Sequence, residues 1–296
     1  MLAPWLEQLQ QQFNHTFQQG RLHHAIMLHG LKGTGKSLLA SSLSAGLLCD
    51  MPSSLVACGT CKSCLLVKAG NHPDRLDIGE ANSSIGVDQI RELGEFIYHS
   101  AQQGGNKVVV IRFADTMTSS AANALLKTLE EPNVNRYLIL CCDDVSRLPA
   151  TIASRCFKQL VVAEQSANWL CNQLNTHEIE PWQALFLQQP FLVLDWQEEE
   201  IESNIKTLYD CANSDVTAWQ LSELNSMLAK RTELVDTFCL FLTQRIKQAA
   251  LAGAPYERIS EQLNSVTLFV KKTKTLAGTN MLLSLAMLQQ SLRQLS

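Results

Sequence analysis

Two kinds of apolar pattern alternate along the chain up to about residue 162, and only one continues beyond it. Leu2, Trp5, Leu6, Leu9 and Phe13 fall at helical spacing and predict a helix over 1–20. AIMLH at 25–29 reads as a short buried strand, GLKGTGKS follows as a glycine-rich loop, and SLLASSLSAGLLC reads as a helix. Val87, Ile90, Leu93 and Ile97 predict a further helix over 86–103. KVVVIRF, from Lys107 to Phe113, is a nearly unbroken apolar run, as expected of a parallel strand covered on both faces. A helix over 117–130 closed by Pro132, a buried strand over Tyr137–Cys142, a short helix over Leu148–Arg155 and a last strand, FKQLVV, complete the series. This alternation predicts an α/β domain with a parallel sheet over 1–162. Beyond it the pattern is helical only. A small unit over 163–198 is interrupted at Pro181 and Pro190, and 199–296 carries long helical stretches such as LVDTFCLFLTQRIKQAALAG.

Composition narrows the function. Apolar residues make up 46% of the 296 residues and charged residues 18%, which excludes a disordered polyelectrolyte. A formal net charge of −4, with no basic, aromatic-rich stretch, speaks against a free-standing nucleic-acid-binding module. Lys271, Lys272 and Lys274 could touch DNA or acidic partners, or form a solvated face. No apolar run reaches the roughly 20 residues of a membrane span. The amphipathic start lacks a basic segment followed by an apolar one, so the cytoplasm is the expected compartment. Clustered cysteines in a reducing compartment point to metal before disulfide.

Gly30-Leu31-Lys32-Gly33-Thr34-Gly35-Lys36-Ser37 fits the phosphate-loop pattern at every fixed position, between a predicted strand and a predicted helix. The glycines let backbone N–H groups converge on phosphate oxygens at a helix N-terminus. Lys36 is expected to reach the β- and γ-phosphates and Ser37 to ligate Mg²⁺. The alternatives are a chance turn and a loop that folds correctly but binds weakly. Hydrolysis needs acids at the end of the second strand, where Arg112 and Phe113 stand instead, with Asp115 further on. A cation at 112 either repels Mg²⁺ or pairs with phosphate. The expectation is nucleotide binding, ATP or ADP with Mg²⁺, with little or no turnover. No paired aspartates for two-metal nucleotidyl transfer stand at the end of a matching strand, so the chain alone is expected to catalyse nothing.

Cys49, Cys58, Cys61 and Cys64 form C-x8-C-x2-C-x2-C. Four thiolates complete a tetrahedral Zn²⁺ site and leave no open position, so the predicted role is structural, within an insert at 49–64. Free or redox-active thiols are the alternative. Cys141, Cys142 and Cys156 fall in or beside predicted strands, as buried small hydrophobes do.

ALLKTLEEPN at 124–133, YLILCCDD, LPATIASRC at 148–156, CGTCKSC, HHAIMLHGLKGTGKS and GVDQIREL at 86–93 together resemble the ATPase domain of bacterial clamp-loader subunits, of the AAA+ superfamily. The resemblance is dense over 21–160 and faint beyond. It implies an AAA+ (RecA-like) parallel-sheet domain with a zinc-binding insert, a helical lid at 163–198, and an all-α collar at 199–296 for oligomerisation. It also implies partners: the delta and gamma/tau subunits in a hetero-oligomeric ring, with the sliding clamp and primed DNA reached through the complex. That complex belongs to the DNA polymerase III holoenzyme, a DNA-directed DNA polymerase at the bacterial replisome on the nucleoid. The missing Walker B acids resemble the stationary members of the family rather than its motors. In the family the Arg of Ser-Arg-Cys projects toward ATP held by a neighbour, so Arg155 is the implied arginine finger in trans; otherwise it is an ordinary surface arginine. LFLQQPFLVLDW at 185–196 has no Gly-Ser-x-Arg stretch with which motor subunits sense nucleotide, and Cys141-Cys142-Asp143 stands where a polar sensor is usual. His23 and His24 resemble a family feature near the nucleotide base, or else pack and cap. An autonomous AAA+ motor is the competing reading, supported by the intact loop.

Overall fold

The computed structural model describes the chain except for residues 1, 52, 53, 104, 132, 133, 199, 200, 232, 276–279, 295 and 296, and the side chains of 274, 275 and 294. Pro132 and the Lys274 side chain, both invoked above, lie outside the described residues. The chain divides into two units, Met1–Leu194 and Asp195–Ser296.

In the first unit the order is α1 (Pro4–Gln18), β1 (Ala25–His29), α2 (Lys36–Leu48), α3 (Lys62–Lys68), β2 (Arg75–Ile78), α4 (Val87–Tyr98), β3 (Lys107–Ile111) and α5 (Ser119–Glu130). There follow β4 (Arg136–Cys142), α6 (Ala150–Ala153), β5 (Phe157–Leu160), α7 (Ser166–Leu174), α8 (Pro181–Ala184) and α9 (Pro190–Glu198), within which the division falls. The five strands form one parallel sheet in the order β2-β3-β4-β1-β5.

Successive residues of a strand face opposite sides of a sheet, and here both sides are buried. Met27, Val109, Ile111, Leu138 and Leu140 enter one core with Ile90 and Leu93 of α4, Leu125 of α5 and Ile152 of α6. Ile26, Leu28, Val108, Val110 and Ile139 enter the other with Leu6 and Phe13 of α1 and Leu39 and Leu43 of α2. That double burial is why these strands read as continuous apolar runs rather than alternating ones.

The structure departs from the sequence reading at several places, among them a helix expected over 86–103 that ends at Tyr98 and a last strand that ends at Leu160. It contains an edge strand, β2, that apolar pattern did not reveal: in Arg-Leu-Asp-Ile only Ile78 is buried, because an edge strand needs no two-sided core. β3 ends at Ile111, two residues early, since Phe113 turns the chain with a left-handed φ of 53°. Pro181 and Pro190 begin helices rather than merely interrupting one, the first-turn position where a missing N–H costs nothing.

The cysteine insert is pinned across α2. Leu55, fully buried, donates its N–H to Asn14 Oδ1 at 2.8 Å and accepts from Gln10 Nε2 at 3.3 Å, both from α1. Its backbone crosses α2 so closely that a Cβ on Gly46 would lie 1.9 Å from the Leu55 carbonyl oxygen.

The second unit holds α10 (Glu202–Asn213), α11 (Leu221–Lys230), α12 (Glu233–Leu251), α13 (Tyr256–Thr275) and α14 (Met281–Gln294). Ile205, Leu208, Leu224, Leu228, Phe238 and Phe241 are among its fully buried side chains. Polar anchors fix the non-helical joints: Arg245 donates to the carbonyls of Ala212 and Ser214 at 2.9 and 2.8 Å, and Gln289 to that of Val216 at 2.8 Å. No described helix is long and apolar enough to cross a membrane.

Gly46→Ala should destabilise the protein by about 2 kcal/mol or more, because its methyl meets rigid backbone. Gly94→Ala, on α4 with no heavy atom within 4 Å of the added carbon, should instead stabilise by roughly 0.5–1 kcal/mol. Urea unfolding of both variants checks the pair; equal midpoints would contradict the crossing at Gly46.

Candidate functional site

The glycine-rich loop joins β1 to α2 at the carboxyl edge of the sheet. Gly33 and Gly35 adopt left-handed φ values of 78° and 93°, a conformation that disfavours side chains. Space forbids side chains as well. A Cβ at Gly33 would lie 2.9 Å from Leu192 Cβ, and one at Gly35 would lie 2.6 Å from the Phe191 ring and 2.7 Å from Leu6. The first turn of α9 therefore sits on the loop, and the Phe191 N–H donates to the Gly33 carbonyl at 3.0 Å. An aromatic cluster backs this contact. Trp5 meets Trp169 edge-on at 5.0 Å, Phe191 lies 4.9 Å from Trp169, and Trp5 Nε1 donates to the Thr34 carbonyl at 2.9 Å. Sequence pattern places Trp5 on a helix face but gives no sign that it holds the loop, because that contact spans 29 residues.

Lys36 is 6% exposed. Its Nζ donates to the Gly30 carbonyl at 2.8 Å and the Leu31 carbonyl at 2.7 Å, and lies 2.6 Å from Asp143 Oδ1. Beside the loop a cavity of about 320 Å³ is bordered by Gly30, Leu31, Thr34, Asp143, Leu160 and Gln188. Lys32 is exposed and Ser37 half-buried at the start of α2.

Acids are present around the loop, but each has a partner. Asp143 holds Lys36. Asp115 accepts the N–H groups of Asp143 at 3.4 Å and Asp144 at 3.2 Å. Asp144 accepts from the Ser146 hydroxyl at 2.6 Å, which holds its carboxyl below the usual range. Asp77 of β2 accepts from Arg75 at 2.7 and 3.0 Å and from Arg112 at 3.1 Å. Arg112 thus pairs with a carboxylate on the edge strand that apolar pattern does not reveal.

At the opposite, amino edge of the sheet, His23 and His24 stack at 4.5 Å. His23 Nδ1 accepts the Ala25 N–H at 3.1 Å, and His24 Nε2 lies 3.2 Å from the Leu129 carbonyl oxygen. On the same edge Arg155, between α6 and β5, pairs with Glu130 at 2.7 Å, donates to the Thr151 carbonyl at 3.0 Å and stays 38% exposed.

The four predicted cysteines converge, although Cys49 ends α2, Cys58 lies in a loop, Cys61 caps α3 and Cys64 lies within it. Their sulfurs all lie within 4.8 Å of one another, with Cys49–Cys61 and Cys58–Cys64 each at 3.9 Å. A tetrahedron with Zn–S bonds of ~2.3 Å needs sulfurs ~3.8 Å apart. Backbone N–H groups point at the sulfurs: Met51 and Cys58 toward Cys49 at 3.4 and 3.5 Å, Cys61 toward Cys58 at 3.4 Å, and Cys64 toward Cys61 at 3.4 Å. Donors from Thr60 and Cys61 bring the Cys58 thiol down to about 6, whereas burial pushes the Cys64 thiol up to about 12. The set can hold a metal ion. Cys141, Cys142 and Cys156 are buried, and burial raises their thiols to about 12, about 12 and about 11, which suits inert packing. In the second unit Lys272 Nζ lies 3.5 Å from Met287 Sδ.

Comparison with known proteins bears on residues 5–165, which match the family described as "DNA polymerase III, delta subunit". The chain is 42% identical over 181 residues to DNA polymerase III subunit delta' of Yersinia pestis, a match covering 60% of this chain and 53% of that protein. It is 32% identical over 252 residues to the subunit of the same name from Buchnera aphidicola subsp. Schizaphis graminum, covering 82% of this chain and 77% of the relative. The match to the Yersinia relative thus takes in about half of its length. A solved structure of a DNA polymerase III gamma subunit-related protein from Thermotoga maritima shares the fold. Its TM-score is 0.52 at 17% identity, over 99% of this chain and 100% of that one.

Burial lowers the basicity of His24, His29 and His72 from the usual value near 6.5. Below that pH the unfolded chain binds more protons than the folded one, so stability is lost as pH falls. Thermal midpoints should fall from about pH 6.5 downward, before the carboxylates titrate near pH 4. A midpoint unchanged between pH 7 and 5 would contradict this.

Proposed function

The chain belongs to the family described as DNA polymerase III, delta subunit, and on that footing we propose that it is a delta-prime-type stationary subunit of a bacterial clamp loader. It works in the cytoplasm during replication, in a ring with delta and gamma/tau subunits that places a sliding clamp on primed DNA. The observation that carries the reading is the distance between its own phosphate loop and Arg155. Phe157 of β5 pairs with Ile26 of β1, so Arg155 is level with His24 at the amino edge of the sheet. Gly30 lies six residues further along, ~20 Å away at ~3.3 Å per residue. An arginine so distant from its own loop does not serve nucleotide held there, which supports a role toward nucleotide held by another chain. Its guanidinium would stabilise charge on the transferred phosphoryl group there. The ion pair with Glu130 keeps it half-buried and oriented until that contact forms.

In this reading residues 30–37 bind ATP or ADP, with Ser37 as a ligand of Mg²⁺, and hydrolyse little. Support comes from the engagement of Asp77, Asp115 and Asp143, which leaves none of the three without a partner to orient an attacking water. Residues 163–198 act as a lid and 199–296 as the collar that joins the ring. Cys49, Cys58, Cys61 and Cys64 hold structural Zn²⁺, for which their sulfur spacing and amide donors are suited; the ion supplies a crosslink, not chemistry.

In the complex assembled with its partner subunits, Arg155→Ala should lower DNA-stimulated ATPase at the site it serves by a factor toward ~10³, while assembly by size-exclusion chromatography survives. Unchanged ATPase would remove Arg155 from the mechanism, and turnover by the isolated chain, abolished by Lys36→Ala, would make it a motor. Elemental analysis should find stoichiometric zinc that Cys61→Ser loses; metal-free wild-type protein would sink the zinc assignment.

A further inference from the structure

We infer that Asp143 sets the nucleotide affinity of the phosphate loop, because its carboxylate holds the one Lys36 hydrogen that a phosphate would take. The inference rests on the reading that the loop binds nucleotide. An ammonium group has three hydrogens to donate. Two of those on Lys36 go to the Gly30 and Leu31 carbonyls, which belong to the loop itself and move with it. The third points to Asp143 Oδ1, at 2.6 Å.

The competitor is built into the backbone. His29 pairs with Cys142 across β1 and β4, so the next residues, Gly30 and Asp143, leave the sheet side by side. Asp115 then accepts the N–H groups of Asp143 and Asp144 and pins the turn that carries the carboxylate. Asp115 stands after β3, where a metal-positioning acid is sought, and instead holds Asp143 in place. Arg112 makes its ion pair with Asp77, not with Asp143. Bound phosphate and the Asp143 carboxylate are like charges contending for one donor, so nucleotide binds only by displacing the carboxylate. The cavity beside the loop is bordered by Asp143, so the displaced side chain would have to leave the space the phosphates enter.

Isothermal titration of the full chain with MgATP tests this. Asp143→Asn and Asp143→Ser should each bind about tenfold or more tightly than wild type, the effect of one charge-assisted hydrogen bond released. Asp144→Asn, which removes a carboxylate one residue on, should stay within about twofold, which separates the specific contact from general electrostatics. Adding Lys36→Ala to Asp143→Asn should abolish the gain. If wild type binds through Lys36 and neither Asp143 variant binds more tightly, the inference is overturned while the nucleotide-binding reading stands. If thermal melts show every variant folded and none binds ATP, both are overturned.

Discussion

Everything at the two edges of this sheet depends on its middle strands being covered on both faces. Val108 and Val110 of β3 enter one core while Val109 and Ile111 enter the other, and β1 and β4 divide their residues the same way. A slip of one residue would exchange the two sets, so register is fixed by burial. Fixed register sets Gly30 beside Asp143 at the carboxyl edge and Arg155 level with His24 at the amino edge. The chemistry at each edge is therefore decided by apolar residues that take no part in it.

The cysteine insert meets the same constraint from outside. Among its described residues Leu55 is its fully buried large apolar anchor, while Met51 and Val56 are exposed. Such a segment buries too little to hold its shape by hydrophobic contact alone. A metal ion held by the four sulfurs gathered from the end of α2, a loop and α3 would supply the missing restraint, and the Gly46 crossing fixes where it would act.

Much of this was legible in the sequence because it is local. Gly30–Ser37 and the C-x2-C steps are determined within a few residues, and the apolar runs of β1, β3 and β4 report two-sided burial directly. Edge strand β2 was not legible, since Arg75 and Asp77 give it no apolar signature; without it the Arg112–Asp77 pair could not be foreseen. The Lys36–Asp143 and Trp5–Thr34 contacts join residues distant in sequence, and only the folded sheet and its helices bring them together. Arg155 was singled out by resemblance; its separation from the chain's own loop emerges from strand register.

The contact between α9 and the phosphate loop has an evolutionary consequence. Gly33 and Gly35 answer to two masters: the path of the backbone around an anion, and the side chains of Phe191 and Leu192 pressed against them. Lys36 answers instead to the Gly30 and Leu31 carbonyls and to Asp143. Selection on folding alone would therefore preserve the glycines and the buried lysine together, and a weathered version of this motif should keep its turn longest where Phe191 and Leu192 press on it.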